Sequence, residues 1–390
     1  MENTNFVYIS SWDNFGGSAG LGLYRYQPEQ GELTFVRMLD EVTSYGMSFV
    51  DESRGLLYIL NETADLPEGE LDAGGGRIFI YRIDRRNGGL TLLQCTPSYG
   101  ANPCSFTLDP TGQFLVVLHH VSHDAVTKVR RDVDGKYRIF VEHDDVTIVL
   151  FPVNENGTLG DPLDVVYHTG WMQTKDVPRA SLHSAAMAPS GEFFAVVDIG
   201  ESRVHMYRID YENKRLYPSC APYADEPGSL PRYGLFHPTL PYYYINHEMG
   251  SLDVTCFRYD EIGRLTPLGK ASSVPEGYVK QYHDEQQDFR MHPSGKYLYD
   301  AVNGPDVIAV FRIDEATGLV ELVQNQKVDG TWVRGCALSP DGRFLIATCL
   351  KSGTVQVFAI GEDGLLTPTG TSYTQENASW VTFFNPQNTK

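Results

Sequence analysis

The sequence predicts an all-β fold, a seven-bladed β-propeller closed by pairing of the C-terminal strand with the N-terminal blade. Three observations predict it: a repeated strand and turn segment, a second turn motif that alternates with it, and strand-like sequences at both ends. No sustained helical periodicity interrupts the 390 residues. Because closed β architectures often exceed the usual domain size, we expect a single domain over residues 1–390.

The first repeat is a short strand that ends in an aromatic residue, followed by a turn and usually by Gly-Leu or Gly-x-Leu at the start of the next strand. It occurs seven times, with copies that begin at Leu23, Ile80, Leu150, Met206, Cys256, Val310 and Val357. A repeat of about 50 residues that holds about four short strands has the size of a propeller blade. Seven copies therefore predict seven blades.

The second repeat is a hairpin turn that reads Pro-x-Gly. It is clear at Pro110, Pro189, Pro293 and Pro340, with weaker copies at 51–55 and 237–240. Each turn is flanked by short runs rich in Val, Ile, Phe and Tyr, which are typical of strands. We interpret these hairpins as the first and second strands of the blades.

The two ends of the chain support closure. The segment 6–10 resembles a second strand, whereas the segment 380–384, followed by Pro386, resembles a first strand without a partner. Pairing these segments would complete one blade and remove two exposed sheet edges.

Composition excludes several classes of function. A formal charge of −19 argues against binding to nucleic acid or to an anionic membrane, since both need a field of Lys and Arg. The N-terminus has no signal-peptide pattern and no segment is long enough for a membrane span, so we expect a soluble, cytoplasmic protein. The six cysteines lack metal-like spacing, which favours free thiols. We expect no cofactor and no metal, a small molecule as partner, and leave a homo-oligomer open.

Strand register predicts a site. In each blade the first strand begins, and the second ends, at the same mouth of the central channel. Six positions before each turn proline stand Cys104, His183, Arg232, Gln287 (with Asp288 beside it) and Arg334. Second strands end near Asn61-Glu62, His119-His120, Asp198, His247-Glu248, Asn303 and Cys349. Any propeller has a wet channel mouth, so one polar residue means little, but this convergence from different blades is typical of a binding site.

Four long segments are predicted on the same face, at 66–77, 121–146, 168–181 and 277–287. They could form a lid, a subunit contact or solvated hairpins, and the sequence leaves these three alternatives open.

The chain resembles the seven-bladed lactonase family, whose activities include hydrolysis of 6-phosphogluconolactone and, in a fungal branch, cyclisation of carboxy-muconate. The similar stretches are Asn61-Glu62, Asn102-Pro103-Cys104, Leu182-His183-Ser184, Leu230-Pro231-Arg232-Tyr233, His247-Glu248, Asp288-Phe289-Arg290 and Val333-Arg334-Gly335. The chain differs from the family pattern at Val302-Asn303-Gly304, where an arginine is missing, and at Ser181, where a histidine is usual.

This resemblance implies a catalytic set of His183, Arg232 and Glu248. We expect Arg232, with Arg334, to hold the lactone carbonyl or an anionic substituent, while His183 or Glu248 activates a water molecule. Glu62 and Asp288 are second choices for the base. The expected substrate contacts are Asn61, Glu62, His119, His120, His247, Asp288, Asn303 and Arg334.

Three other functions remain open from the sequence. A muconate-type cyclase or lyase would use the same residues and give a different product. A Ca²⁺-dependent propeller could use oxygen ligands from Glu62, Asn303 and Asp198, and a chelator would inactivate it. A protein-interaction propeller would need an exposed aromatic patch, for which 242–244 is a candidate, although these tyrosines are expected to pack between blades. Cys104 stands at the mouth but has no base partner in the sequence, so we expect it in the core or behind the residues that contact the substrate rather than as a nucleophile.

Overall fold

The computed structural model describes residues 5–13, 19–63, 75–120, 125–143, 146–168 and 179–386. Over these residues the chain forms 31 β-strands and no helix, which confirms the all-β prediction. The strands form seven antiparallel sheets of four main strands each and one separate hairpin, in the arrangement of a seven-bladed propeller. In the part of the chain that is described, no helix has the length and apolar character needed to cross a membrane.

The first three blades are formed mainly by the first thirteen strands of the chain. In the first blade these are β1 (Asn5–Ser11), β2 (Gly20–Gln27) and β3 (Glu32–Asp40). The second blade has β4 (Ser48–Asp51), β5 (Leu56–Asn61), β6 (Arg77–Ile83) and β7 (Leu90–Pro97). The third has β8 (Pro103–Leu108), β9 (Phe114–His119), β12 (Val146–Pro152) and β13 (Asp164–His168), with the hairpin β10 (Ala125–Arg131) and β11 (Tyr137–His143) inserted between its second and third strands.

The later blades repeat the pattern. The fourth has β14 (Leu182–Met187), β15 (Phe194–Asp198), β16 (Arg203–Asp210) and β17 (Arg215–Pro218), with the short β18 (Tyr223–Ala224) beside β16. The fifth has β19 (Pro231–Phe236), β20 (Tyr242–His247), β21 (Asp253–Tyr259) and β22 (Leu265–Ser272). The sixth has β23 (Glu285–Met291), β24 (Tyr297–Asn303), β25 (Val307–Ile313) and β26 (Val320–Lys327). The seventh has β27 (Val333–Leu338), β28 (Phe344–Cys349), β29 (Thr354–Ile360) and β30 (Leu366–Thr374).

The last strand, β31 (Ala378–Phe384), closes the ring. It pairs antiparallel with β1, with Phe6 opposite Phe384 and Val7 opposite Phe383, and becomes the innermost strand of the first blade. The predicted closure is therefore confirmed. It joins the two ends of the chain through backbone hydrogen bonds, so that β1 is paired on both sides, with β2 and with β31.

The core lies between blades and follows strand alternation. On β9, Val116 packs in a cluster shared with the fourth blade, whereas Val117 packs toward the second blade. On β20, Tyr243 packs toward the fourth blade, while Tyr242 and Tyr244 pack toward the sixth. All three tyrosines are buried. Their predicted place between blades is confirmed, and they form no exposed patch.

Candidate functional site

A polar cavity lies at one mouth of the channel, and every blade contributes to its lining. The residues that line it are Trp12, Gly46, Met47, Glu62, Cys104, His183, Arg232, Tyr233, Gln287, Arg334, Ser379 and Trp380. They include two guanidinium groups, one carboxylate and one imidazole that the sequence had suggested for the site. Convergent polar groups in a concavity are the usual mark of a ligand site.

Register irregularities on the innermost strands turn these side chains inward. The pairing of first and second strands shifts at Cys104, His183, Arg232-Tyr233, Gln287-Asp288 and Arg334, and the pairing of β31 with β1 shifts at Ser379-Trp380. Such bulges re-aim side chains and are frequent beside active sites. The same kind of β-bulge, repeated on the innermost strands of six blades, thus places these side chains in the cavity.

The six-residue spacing explains two lining residues that the sequence reasoning missed. Trp380 stands six positions before Pro386, and Met47 stands six before Ser53, which holds the proline position in the weak turn at 51–55. Both positions obey the rule that selects His183 and Arg232. Trp12 was also missed, since it follows β1 directly and belongs to no repeated motif.

Arg232 and Arg334 make the cavity cationic. Arg232 is buried and forms an ion pair and hydrogen bond from Nη1 to Glu248 Oε1. Arg334 donates from Nη1 to Gln287 Oε1, and its Cζ lies 4.6 Å from the centre of the Trp12 ring. Burial, with the charge of Arg334 nearby, lowers the pKa of Arg232 to about 10. Arg232 is therefore still cationic at neutral pH.

Glu62 faces these arginines. Loss of solvent contact raises the pKa of its carboxyl group, and the charges of Arg334 and Arg232 oppose this effect only in part. A Cβ atom built on Gly46 would stand 2.6 Å from Glu62 Oε2, so the carboxylate lies directly over this glycine. A buried carboxylate whose pKa is raised in this way is a stronger base than an exposed one, and such groups are often found in active sites.

His183 is an uncharged imidazole in this setting. It is buried, and its Nδ1 has no hydrogen-bond partner among the described residues. Burial, followed by the charges of Arg232, His120 and Arg334, holds its pKa well below the usual range. Its ring meets Tyr233 at 4.9 Å and His120 at 5.9 Å, both edge to face. His120 in turn contacts Ser181 Oγ through Nε2 at 3.0 Å.

Three predicted substrate contacts point away from the cavity. His119 is fully buried, its Nδ1 lies 2.9 Å from Thr147 Oγ1, and burial lowers its pKa to about 4. His247 lies between Asp253 O at 2.8 Å and Asp225 Oδ2 at 3.1 Å. Asn61 donates to Ser44 O at 2.8 Å. Each is the first residue of a polar pair at a strand end, and strand alternation directs it to the adjoining structure.

Two more predicted residues are held in structural contacts. Asp288 accepts hydrogen bonds at Oδ2 from Arg290 Nη2 and the Cys336 backbone, each at 3.0 Å. Burial raises the pKa of Asp288, opposed by Arg290. Asn303 is buried and donates to His283 O at 3.2 Å. Neither lines the cavity.

The geometry argues against two functions considered from the sequence, a Ca²⁺ site and a nucleophilic Cys104. The proposed oxygen ligands for Ca²⁺ do not come together, because Glu62 lines the cavity while Asp198 accepts from the Ser181 backbone at 2.8 Å and Asn303 faces His283. Cys104 lines the cavity, but its thiol donates to Leu182 O at 3.3 Å. Burial raises the thiol's pKa well above its usual range, which opposes a nucleophilic thiolate.

Fold and site together define a closed seven-bladed propeller with a cationic, carboxylate-containing cavity at one end of its channel. The sequence model of the family described as Lactonase, 7-bladed beta-propeller, matches residues 6–383. The chain belongs to this family.

Three similar proteins are distant in sequence but match over nearly their whole length. The chain is 24% identical to a 6-phosphogluconolactonase of Bacillus subtilis over 354 residues, which cover 90% of each protein. It is 22% identical to a 6-phosphogluconolactonase of Formosa agariphila over 359 residues, covering 90% of this chain and 91% of the relative. The solved structure of a periplasmic gluconolactonase of Pseudomonas aeruginosa superimposes with a TM-score of 0.81 at 23% identity, covering 98% of this chain and 99% of that one. At this identity the structural likeness establishes the fold.

Proposed function

We propose that the protein hydrolyses a sugar-derived lactone similar to 6-phosphogluconolactone in this cavity. The observation that carries the proposal is the meeting of Arg232 and Arg334 with Glu62 and neutral His183 at one point of the channel mouth. Lactone hydrolysis develops negative charge on the former carbonyl oxygen as water attacks. Fixed cations in a concave site are suited to stabilise that charge.

Arg232 and Arg334 are proposed to bind the carbonyl oxygen or an anionic substituent of the substrate. Guanidinium groups donate several hydrogen bonds in a fixed plane and match carboxylate and phosphate oxygens. The ion pair with Glu248 fixes Arg232, so we assign Glu248 a positioning role. Gln287 orients Arg334 in the same manner.

Glu62 is proposed as the base that takes a proton from the attacking water. Support comes from the position of its carboxylate in the lining and from the raised pKa, which makes it a stronger base than an exposed glutamate. The depressed pKa of His183 makes it a weaker base than an ordinary histidine. Its unpartnered Nδ1 is suited to orient the water or a sugar hydroxyl instead.

The test is hydrolysis of a small lactone panel, followed by proton release in weakly buffered solution. The panel holds 6-phosphogluconolactone, gluconolactone and an aromatic lactone, each with and without EDTA. We expect turnover of a sugar lactone that EDTA leaves intact, and loss of at least about 100-fold in kcat/KM for Arg232→Lys and Arg334→Lys. Arg312→Lys, at an exposed position, is the matched control.

Absence of turnover on the whole panel would overturn the hydrolase proposal. In that case a muconate-type cyclisation would be tested by product analysis, because the same arginine pair could bind a substrate carboxylate. Turnover that EDTA abolishes while the protein remains folded would overturn the metal-independent mechanism and leave the reaction class intact.

A further inference from the structure

A cluster of two histidines and one aspartate lies between the third and fourth blades, outside the cavity. It consists of His168 at the end of β13, Asp198 at the end of β15 and His205 on β16. One ligand-type atom from each residue lies within 4.8 Å of the other two. None of the three residues lines the cavity or takes part in the proposed reaction.

Strand register explains why these side chains meet. On the β15–β16 pair, Val196 stands opposite His205, and Asp198 is two residues beyond Val196 on the same face. Asp198 and His205 are therefore diagonal neighbours. This face of the fourth blade packs against the third blade through an apolar cluster that includes Val196 and Ile148. His168, opposite Val146 on the third blade, completes the cluster from the other side.

Asp198 and His168 of the cluster are buried and His205 is partly buried, and two polar atoms of the cluster have no hydrogen bond within the described part of the chain. Asp198 is fully buried and His168 nearly so. Neither Asp198 Oδ2 nor His205 Nε2 has a hydrogen-bond partner among the described residues. A buried carboxylate oxygen without a hydrogen bond is costly, and native proteins rarely leave one without a hydrogen-bond donor or an ion.

We propose that His168, Asp198 and His205 bind a zinc ion that links the third and fourth blades. His168 Nδ1 lies 3.7 Å from Asp198 Oδ2. Zinc bonds of about 2.0–2.1 Å in tetrahedral geometry place ligand atoms about 3.3 Å apart. The His168–Asp198 pair would contract by a few tenths of an ångström, and the pairs with His205, which lie within 4.8 Å, by at most about 1.5 Å. Two imidazoles and one carboxylate suit zinc better than Ca²⁺ or Mg²⁺, which prefer oxygen ligands.

The surrounding contacts are those of a supported metal site. His168 Nε2 lies 2.8 Å from Tyr207 OH, which directs Nδ1 toward the cluster. Asp198 Oδ1 accepts from the backbone of Ser181 at 2.8 Å and Glu201 at 3.0 Å, which directs Oδ2 toward the histidines. Hydrogen bonds of this kind hold metal ligands in orientation. Zinc would bind Asp198 Oδ2 and His205 Nε2, the two atoms without a hydrogen bond to a described residue, together with His168 Nδ1.

Zinc binding by the full-length protein is the direct test. Protein stripped with EDTA and desalted is titrated with ZnCl₂ in competition with a chromophoric chelator. We expect one zinc ion per chain and at least about 10-fold weaker binding for Asp198→Asn and for His205→Gln. The control is His283→Gln, at an exposed position, which should bind as the unmodified protein does. CaCl₂ at the same concentration should not compete.

Two measurements keep the test decisive if a variant folds poorly. Cobalt(II) bound to the unmodified protein should give tetrahedral d–d bands without thiolate charge transfer, since no cysteine belongs to the cluster. Zinc should also raise the melting temperature of the stripped protein. Three results would each overturn the proposal. They are the absence of zinc uptake, cobalt spectra dominated by thiolate bands, and equal zinc affinity in the two variants and the control. None of these readouts depends on lactone hydrolysis.

Discussion

The Glu62 carboxylate lies over Gly46, where a Cβ atom would stand 2.6 Å from Glu62 Oε2 and 3.0 Å from Glu62 Cβ. Gly46 also donates its backbone N–H to Leu60 O at 2.9 Å, which fixes the two segments together. A side chain at position 46 would therefore displace the carboxylate rather than the backbone.

We expect Gly46→Ala to reduce kcat/KM about 10- to 100-fold, because small displacements of a catalytic group are costly in rate. Overpacking should cost about 1–3 kcal/mol of unfolding free energy, which leaves the protein folded. The control is Gly269→Ala on the outer strand β22, where the nearest atom is the flexible end of Leu319 at 2.9 Å. Steady-state kinetics and urea unfolding check both variants, and an unchanged kcat/KM in Gly46→Ala would contradict the assignment of Glu62.

The pH dependence of turnover should report Glu62 directly. A base must be deprotonated, so kcat/KM should fall as the pH drops through the raised pKa of Glu62. We expect Glu62→Gln to remove this limb of the pH profile and to reduce kcat about 10²- to 10⁴-fold. The exposed Glu321→Gln is the control and should retain both rate and profile.

The raised pKa of Glu62 should also affect the stability of the protein. A carboxyl group whose pKa is raised on folding binds its proton more tightly in the folded state, so its contribution becomes less favourable as the pH rises through the unfolded and then the folded pKa. Glu62→Gln should therefore melt at the same or a higher temperature at pH 7. A clear decrease would mean that the ion contacts of Glu62 outweigh its loss of solvent contact.

The sequence predicts the fold and the cavity residues on the first strands better than the cavity residues at the ends of the second strands. The blade count, the closure and the inward positions of His183 and Arg232 follow from a repeated turn with constant spacing. Each site position and the turn proline six residues later lie on one hairpin, and the strand pairing of that hairpin places the site position at the channel mouth. The same rule reaches Trp380 once Pro386 is accepted as a turn proline.

The polar pairs at the ends of second strands could not be resolved in this way. In Asn61-Glu62, His119-His120 and His247-Glu248, the second member faces the cavity or its arginine and histidine, while the first faces a neighbouring segment. Adjacent residues on a strand point to opposite sides, and a register error of one residue reverses the assignment. Only the three-dimensional pairing fixes which member enters the site.

Glu248 should behave as a positioning residue. Its carboxylate is partly exposed and pairs with buried Arg232. We expect Glu248→Gln to raise KM about 10-fold with a smaller change in kcat, since the amide can still accept a hydrogen bond, whereas Arg232→Lys should lower kcat as well. A Glu248→Gln variant with unchanged KM and a kcat loss equal to that of Glu62→Gln would instead support Glu248 as the base.

Trp380 joins the closing strand to two other blades while it lines the cavity. Its indole Nε1 donates to Ser48 O at 2.9 Å, and Arg290 Cζ lies 4.4 Å from the centre of its ring. We expect Trp380→Ala to lower the free energy of unfolding by about 3–5 kcal/mol through the lost ring contacts. Trp380→Phe should cost less, about 1–3 kcal/mol, through the lost hydrogen bond and the smaller ring, with the cation–π contact retained. Urea unfolding with an unchanged m-value measures both differences. If the free energy of unfolding of Trp380→Ala lies within about 0.5 kcal/mol of that of the unmodified protein, the backbone pairing with β1 is enough to hold β31. Trp380 would then contribute to the cavity and not to the stability of the ring closure.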